Sequence, residues 1–503
     1  MTAYSFIPPA VLAAAAAYAA WRARFALHML QQDSYDNARY LRWTLARPLS
    51  RWLWPRRIEV KKPLAMTGRA WRILAATWTL MALGAACGLS TGGAAPYWAA
   101  AALALLWPFL AIAANLLLKP VQAAINRGFV RQARRRLREY SPTVIGVAGS
   151  YGKTSTKYFT ATILAERFRV HKTPESFNTL LGVCRVINGN VRPEAALKPE
   201  HQVFIVEMGA YRRGEVRETA RMVSPRYGIL TSIGPEHFER FLSIENIQAT
   251  NYELIEETAP DGAAAFNCDL PDCEALARRA AANPRGPRVL RYGVEAAPSN
   301  RTLWAEEIAH SAEGMRFTMV HADGRRQQAR TKLVGRHNVL NILGAALIAL
   351  DMGLTLEEIA RGIAKLEPAP HRLNIIQGAG GTIVIDDSYN SNPIGAAEAL
   401  RVLAEFKTGR RILVAPGMIE LGALAAEKNA GFGRQAAAVC DFVYLIGPAQ
   451  TRDVALGLRS AGFPESQLKI CRDLGEATAH MRTLLRPGDA ILFENDLPDL
   501  YAE

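Results

Sequence analysis

The sequence predicts an α/β protein in which N-terminal membrane-spanning helices precede two sheet domains, and three observations predict it. Long uncharged apolar runs fill much of the first 140 residues. The β-branched run Thr143–Ala148 leads straight into Gly149-Ser150-Tyr151-Gly152-Lys153-Thr154-Ser155. From Thr382 onward, short apolar strands alternate with helical stretches. A chain of 503 residues exceeds one compact core, and roughly 100–200 residues per domain gives about three units. The expected boundaries are 1–140, 141–367 and 368–503.

Residues Phe6 to Trp21 form an Ala-rich, uncharged run, short for a span and preceded by no basic residue, hence a poor secretory signal. The stretches Ile73–Leu89 and Tyr97–Leu118 each come near the ~20 apolar residues that a ~30 Å hydrocarbon core demands. Between them lies the uncharged turn Ser90-Thr91-Gly92-Gly93-Ala94-Ala95-Pro96. Lys and Arg flank the outer ends of this pair and are absent from the turn, so the positive-inside rule puts the turn outside and both basic segments in the cytoplasm. A buried helical hairpin is the alternative for the two later runs. Several of the eight tryptophans between Trp21 and Trp107 sit at span ends, as the headgroup layer favours. The aromatic and basic segment Leu27–Trp54 suits either the inner membrane surface or a solvated connecting helix.

The formal charge of +14 raises the question of a nucleic-acid partner, and its distribution answers it. Residues 22–72 carry twelve Lys/Arg against three acids and residues 119–140 carry seven against one, whereas residues 141–503 sum to about −1. The surplus belongs to the hydrophobic region, and no nucleic acid is expected. The six cysteines form no CxxC pair and have no histidine at metal spacing, so neither a zinc site nor a disulfide frame is indicated, and reduced thiols fit a cytoplasmic catalytic part.

Strand, glycine loop and the helical stretch Thr156–Phe168 make the context that a phosphate-binding loop requires. Gly149 and Gly152 let backbone N–H groups converge on phosphates, Lys153 reaches the terminal phosphates and the Thr154 hydroxyl suits Mg²⁺. Gln202–Val206 is a second apolar strand, and Glu207 at its carboxyl end suits a metal. A third, Tyr227–Ile233, runs into Gly234-Pro235-Glu236-His237, where His237 is either a metal or phosphate contact or a solvated loop histidine. Arg301 to Val334 alternates like an antiparallel flap, and His337 to Met352 reads as a helix. Pro368-Ala369-Pro370 resists helix and suits a linker. Ile383–Ile385, Arg411–Ala415, Phe442–Ile446 and Ala490–Phe493 then read as strands of a parallel, doubly wound sheet.

Six motifs in order, from about Val144 to the C-terminus, resemble the Mur ligase family, the cytoplasmic enzymes that build the cell-wall peptide. They are the Gly149–Ser155 loop, Glu207-Met208-Gly209, Ile233-Gly234-Pro235-Glu236-His237, Gly335-Arg336-His337-Asn338-Val339-Leu340-Asn341, His371-Arg372, and Asp386-Asp387-Ser388-Tyr389-Asn390-Ser391-Asn392-Pro393. The last, with Glu420-Leu421-Gly422 after it, is most similar to the D-alanyl-D-alanine-adding branch. The resemblance implies a central ATP-binding domain and a C-terminal Rossmann-like domain. It implies ATP contacts at Gly149, Ser150, Gly152, Lys153, Thr154 and Ser155, with His337, Asn338 and Asn341 near the adenine, Arg372 at the γ-phosphate and Asp387 at the ribose. Mg²⁺ falls to Thr154, Glu207 and His237, and catalysis to Lys153, His237, Arg372 and Asp387. Taken singly, Asn338 reads equally as a helix cap and Asp387 or Asn390 as turn formers.

Three departures stand out. The family's standard members begin with a domain that binds a UDP-sugar, and here the hydrophobic region takes that place. They carry a carbamylated lysine for a second Mg²⁺ where this chain has Asn251, and no lysine lies between His237 and Lys332. Pro416-Gly417-Met418 replaces Gly-Asp-Met, and Asn429 stands where a histidine is expected. The expectation is therefore an ATP-dependent ligase that activates a carboxylate as an acyl phosphate for attack by an amino acid or dipeptide amine, in cell-wall precursor synthesis at the membrane. It would be multi-pass in a bacterial inner (plasma) membrane, catalytic domains cytoplasmic, with membrane lipid as a partner and a lipid-linked or polymeric carboxylate substrate. Poly-γ-glutamate-type ligation and a non-catalytic ATP-binding partner of an envelope complex are the alternatives. Apparent spans without a charge argue against solute transport.

Overall fold

The computed structural model describes residues 7–33, 35–46, 63–89, 101–174, 177–294, 300–311, 314–389 and 391–496. Phe6, the turn at 90–96 with residues 97–100 of the second expected span, Ser34 and residues 47–54 of the aromatic and basic segment, and Asn390 lie outside the described residues. The chain separates into a unit within Met1–Gly128 and a larger one, Phe129–Asp496.

In the larger unit the first sheet is built from β1 (Thr143–Ala148), β2 (Val170–Lys172), β3 (Val203–Glu207), β4 (Tyr227–Leu230), β5 (Ala263–Asn267), β6 (Arg288–Gly293), β7 (Leu303–Ser311), β8 (Gly314–His321) and β9 (Arg326–Thr331). Their order is β2-β3-β1-β4-β5-β6-β7-β8-β9. Neighbours from β2 to β7 pair in parallel, and β7–β8–β9 form the antiparallel flap that the alternation predicts. Continuous apolar runs such as Val203–Val206 are buried on both faces, as helix-covered parallel strands must be. Successive side chains leave opposite faces of β1. Ile145 and Val147 pack with Phe159, Ile163 and Ile342 from helices Lys153–Leu164 and Arg336–Asp351. Val144 and Ala148 pack with Val183, Val216 and Leu254 on the other side. The second half of helix Lys119–Tyr140 adds Ala133 to that layer, so the unit starts at Phe129 rather than at the first strand.

The second sheet comprises β10 (Asn374–Gln377), β11 (Ile383–Asp387), β12 (Arg411–Ala415), β13 (Phe442–Ile446), β14 (Leu468–Cys471) and β15 (Ala490–Glu494), in the order β10-β11-β15-β12-β13-β14. All pairs are parallel except the edge strand β10, whose four half-exposed residues carry no run long enough to announce a strand. The carboxyl ends of β1, β3, β4, β11 and β12 lead into every motif singled out above except the helical Gly335–Asn341 segment and His371-Arg372.

The smaller unit corrects the membrane reading. Among the described residues no single helix is long and apolar enough to cross a membrane, and only a bent pair, Trp107–Leu117 with Lys119–Tyr140 at 51°, passes by length and composition. Helix Ile7–Gln32 runs on past Trp21 through Arg22 and Arg24. Helix Gly68–Leu89 carries Arg69 and Arg72 in its first turns. The expected span Tyr97–Leu118 breaks at Leu106, leaving an eleven-residue helix of only about 16 Å. Much of the apolar surface is turned inward: Ala19, Leu30, Ile73, Trp107 and Ala114 share a buried cluster, with Trp78 edge-on to Trp107 at 5.1 Å. Arg69 donates to Asn115 (3.1 Å), and Asn115 donates to the Tyr35 carbonyl (3.0 Å) and Asn37 Oδ1 (2.7 Å). A multi-pass placement in an inner membrane is thereby overturned, and the lipid partner rested on the same spans.

Candidate active site

The loop between β1 and helix Lys153–Leu164 is shaped by two glycines. At Gly149 (φ 139°) a Cβ would stand 2.2 Å from Thr231 Oγ1 and 2.9 Å from the Ser232 nitrogen, and at Gly152 (φ 79°) 2.4 Å from Asn341 Oδ1. Bonds from β4's end hold the turn. Ser150 N donates to the Ser232 carbonyl (2.8 Å), Ser150 Oγ to the Gly234 carbonyl (2.9 Å) and Tyr151 N to Ser232 Oγ (2.7 Å). The helix N-terminus behind it, with Ser155 buried in its first turn, is the kind of site that attracts phosphate. Lys153 Nζ donates to the Ser150 carbonyl (2.8 Å) and pairs with Glu236 (2.6 Å).

At the end of β3, Glu207 is 2% exposed. Thr154 Oγ1 and Asn178 Nδ2 each donate to it at 3.1 Å, and the Lys157 ammonium, wholly buried, lies 2.9 Å away. Burial alone raises a carboxyl's pKa, but Lys157, helped by Lys153 and Asn178, outweighs it and holds Glu207 below its ordinary value. Lys157 was not singled out from sequence, where one lysine in a helix reads as solvated. Its signal is its neighbours: Thr156, Phe159 and Thr160 all face inward.

Asn251 does not stand free as a replaced metal ligand. On helix Ile244–Glu256 it accepts from the Gly149 N–H (2.8 Å) and donates to the Ile247 carbonyl (2.9 Å), strapping the phosphate loop from beneath. His237 has φ 51° and bonds through Nδ1 to the Glu420 carboxylate, from the loop after β12, while the Glu239 N–H donates to the Glu420 carbonyl at 3.0 Å. Its ring lies 4.6 Å from that of Tyr211, whose phenol is pushed up by burial and then by Glu420. Glu420, quoted above without a role, thus clasps the two sheets' loops together.

Asn338 Nδ2 donates to the Val334 carbonyl (2.8 Å), fixing the helix start, and Asn341 Oδ1 accepts from Thr156 Oγ1 (3.3 Å), tying this helix to the phosphate-loop helix. His337 Nδ1 is 3.9 Å from the Glu398 carboxylate. In the C-terminal sheet, His371 Nδ1 meets Asp386 at 2.7 Å, the Arg372 guanidinium lies 4.4 Å from the Tyr389 ring centre, and buried Asp387 accepts from the Leu373 N–H at 3.1 Å. Burial pushes Asp387 up, against the pull of Arg372 and His337.

Of the three residues expected at the metal, Thr154 and Glu207 come together and His237 is engaged by Glu420. Among the described residues no cluster of three or more His, Cys, Asp or Glu is arranged to hold an ion. One hydroxyl and one carboxylate do fit Mg²⁺ that arrives with a nucleotide, because that ion keeps waters and takes phosphate oxygens as ligands. Asn251, with both amide atoms committed, does not fit a second ion.

Residues 147–349 match the Mur ligase middle domain, and residues 371–494 match the family's C-terminal domain, described as "Mur ligase, glutamate ligase domain". The UDP-N-acetylmuramoyl-tripeptide--D-alanyl-D-alanine ligase of Mycobacterium tuberculosis (strain CDC 1551 / Oshkosh) is 31% identical over 378 residues, which cover 70% of this chain and 69% of that protein. The chain belongs to the Mur ligase family. The ligase of the same name from Escherichia coli (strain K12) is 32% identical over 305 residues, covering 60% of this chain and 64% of its own length, so the chain spans less than two thirds of that relative. A crystal structure of MurF from Acinetobacter baumannii superposes with a TM-score of 0.64 at 25% identity, covering 74% of this chain and 77% of that one. The two Mur ligase matches contain every site residue named from the sequence, and Glu494 is the last residue they include.

Proposed function

We propose that this Mur ligase family member uses ATP to join a carboxylate to an amine, in the manner of the relatives named as D-alanyl-D-alanine-adding ligases. The observation that carries the reading is the phosphate loop with Lys153 above it and Thr154 and Glu207 beside it, at the strand edge where His237 meets Glu420 of the second sheet. Lys153 and Arg372 would disperse charge on the transferring phosphoryl group as the substrate carboxylate attacks the γ-phosphate of ATP and ADP leaves; the amine would then attack the resulting acyl phosphate, displacing phosphate and losing a proton to give the amide. Thr154 and Glu207 would hold Mg²⁺, which when bound neutralises phosphate oxygens. His337, Asn338 and Asn341 would flank the adenine and Asp387 the ribose. The His237–Glu420 bond joins loops of the two sheets and supports positioning as the main source of rate, with closure of the second sheet over the first expected around Pro368 to Arg372.

For substrates, the relatives' names favour a muramoyl-peptide carboxylate and D-alanyl-D-alanine as the amine. The described residues up to Gly128 are helical and stand in the chain position of the family's UDP-sugar domain. The sugar-nucleotide part of the acceptor is accordingly the portion most open to replacement, by a polymer such as poly-γ-glutamate among others. The test is phosphate release and amide formation, followed by mass spectrometry, with ATP, Mg²⁺, each carboxylate and D-alanyl-D-alanine. Turnover is expected, with a loss of about 100-fold or more in Lys153→Ala. ATP binding without phosphate release from any pair would replace this reading with a non-catalytic ATP-binding partner, which the commitment of Asn251 to the loop favours.

A further inference from the structure

A second buried acid lies outside the roles assigned so far. Glu494 ends β15, in register with Asp387 at the end of the parallel neighbour β11. It is 1% exposed, and Asp387 is 8% exposed. Ser391 Oγ donates to Glu494 Oε1 at 2.5 Å, but among the described residues no hydrogen-bond partner reaches the buried Oε2. Next to it, Asn495 (φ 71°) ties three segments together. Its N–H donates to the Asp387 carbonyl (3.2 Å), its Nδ2 to the Gly417 carbonyl (2.7 Å), and its Oδ1 accepts from the Ser391 N–H (3.2 Å). The end of β15 is therefore built into the loops on either side of it.

An ionised glutamate with one oxygen orphaned in the interior is an expensive arrangement. A protonated one is not, provided its O–H finds an acceptor, and the adjacent Asp387 carboxylate is one. Two neighbouring buried carboxyls hold one proton between them, because both cannot ionise together. The surroundings decide which keeps it. Asp387 has the Leu373 N–H and the positive Arg372 and His337 on its side, with Asp386 against it. Glu494 has the Ser391 hydroxyl and the pull of Arg372, and is the more deeply buried; burial, then Asp387, push it well above the ordinary carboxyl range.

We propose that Glu494 is a positioning residue for the nucleotide: its Oε2 carries a proton donated to the Asp387 carboxylate, which is thereby fixed as an acceptor for the ribose hydroxyls. The inference rests on the reading of Asp387 as a nucleotide contact. It has a signed consequence. A carboxyl whose pKa is raised by folding contributes stability that is fully present below its ordinary value near about 4 and is lost as pH rises from there through the raised value. Loss of the proton also puts two negative charges at the ribose site. ADP affinity and stability should both fall on the alkaline side.

The test uses the full chain with ADP as probe, from about pH 6 to about pH 9, the range in which buried glutamates titrate. Wild type should bind ADP about 10-fold more weakly at the top of that range, a difference of about 1.4 kcal/mol. In Glu494→Gln the amide keeps both hydrogen bonds without a titratable proton. It should match wild type within about twofold at low pH and lose the alkaline decline. Ser391→Ala, which removes the hydroxyl that favours the charged form, should move the decline to higher pH. Melting temperature across the same pH range, without nucleotide, reads the proton independently: wild type should fall more steeply than Glu494→Gln. If wild type binds no ADP at any pH, the functional reading fails while the melting comparison still decides the proton. Equal alkaline slopes for wild type and Glu494→Gln, or a Gln variant that binds ADP poorly at low pH although it folds, would overturn the proposal.

Discussion

Glu207 and Glu494 end parallel strands in different sheets, both about fully buried, and the molecule treats them in opposite ways. Glu207 is held charged by the Lys157 ammonium 2.9 Å away. Glu494, with a hydroxyl and another carboxyl as neighbours, is pushed toward the neutral acid. Burial is common to both, so the partner within hydrogen-bonding reach decides the ionisation state. The first site is thereby suited to a cation brought by phosphates, the second to holding a neighbour's carboxylate as an acceptor.

The largest expected effect breaks that comparison at its charged end. Lys157→Met leaves Glu207 in the interior without the ammonium paired to it, with only the weaker pull of Lys153 remaining, and should cost about 3–5 kcal/mol in urea unfolding. Lys157→Met combined with Glu207→Gln should recover most of it, since removing both charges is far cheaper than removing one. In metal-free protein the pair also sets a sign. A carboxyl held below its ordinary value stabilises above the normal range and loses that contribution as pH falls below about 4. Glu207 thus steepens the acid limb, where Glu494 steepens the alkaline one, and the double variant should flatten only the acid limb. A Lys157→Met penalty under about 1 kcal/mol would mean that Glu207 is neutral in the fold and the contrast is false.

A second, smaller effect concerns the glycine loop that precedes the helix carrying Lys157. Asn251→Ala removes the acceptor of the buried Gly149 N–H and should cost about 1–3 kcal/mol. ADP affinity should fall with it, because the loop's glycine turn loses its anchor. Asn251→Lys separates this role from a metal role: if it raises amide formation, the position belongs to the metal site after all, and the strap is secondary.

How much of this was legible in the sequence follows from the range of the interactions. The strand, glycine turn and helix around Gly149–Ser155 are legible because their signals are local, two glycines forced by close approach and a β-branched strand before them. Glu207 was placed at a strand's carboxyl end for the same reason. Lys157 was not read, since a lysine four residues after Lys153 looks solvated until the sheet buries it. The His237–Glu420 clasp and the Asp387–Glu494 register join distant parts of the chain, and no spacing announces them. The N-terminal helices misled for a physical reason: alanine-rich faces that pack against one another have the composition of faces that meet lipid, and only the break at Leu106 and the course of helix Ile7–Gln32 through two arginines tell them apart.

The smallest effect sharpens the comparison without disturbing its charges. Asn178 Nδ2 donates to Glu207 Oε1 from the segment before helix Leu180–Ile187, whereas Lys157 and Thr154 both act on Oε2. Asn178→Ala should therefore leave Glu207 ionised but free at one oxygen, at a cost of about 1 kcal/mol in urea unfolding. The freed oxygen is the one not already engaged by Lys157, so affinity for the Mg²⁺ complex of ADP over ADP alone should hold or rise while stability falls. If Asn178→Ala instead abolishes the Mg²⁺ dependence of ADP binding, the amide is what orients the carboxylate, and charge compensation by Lys157 is not sufficient to make Glu207 a ligand.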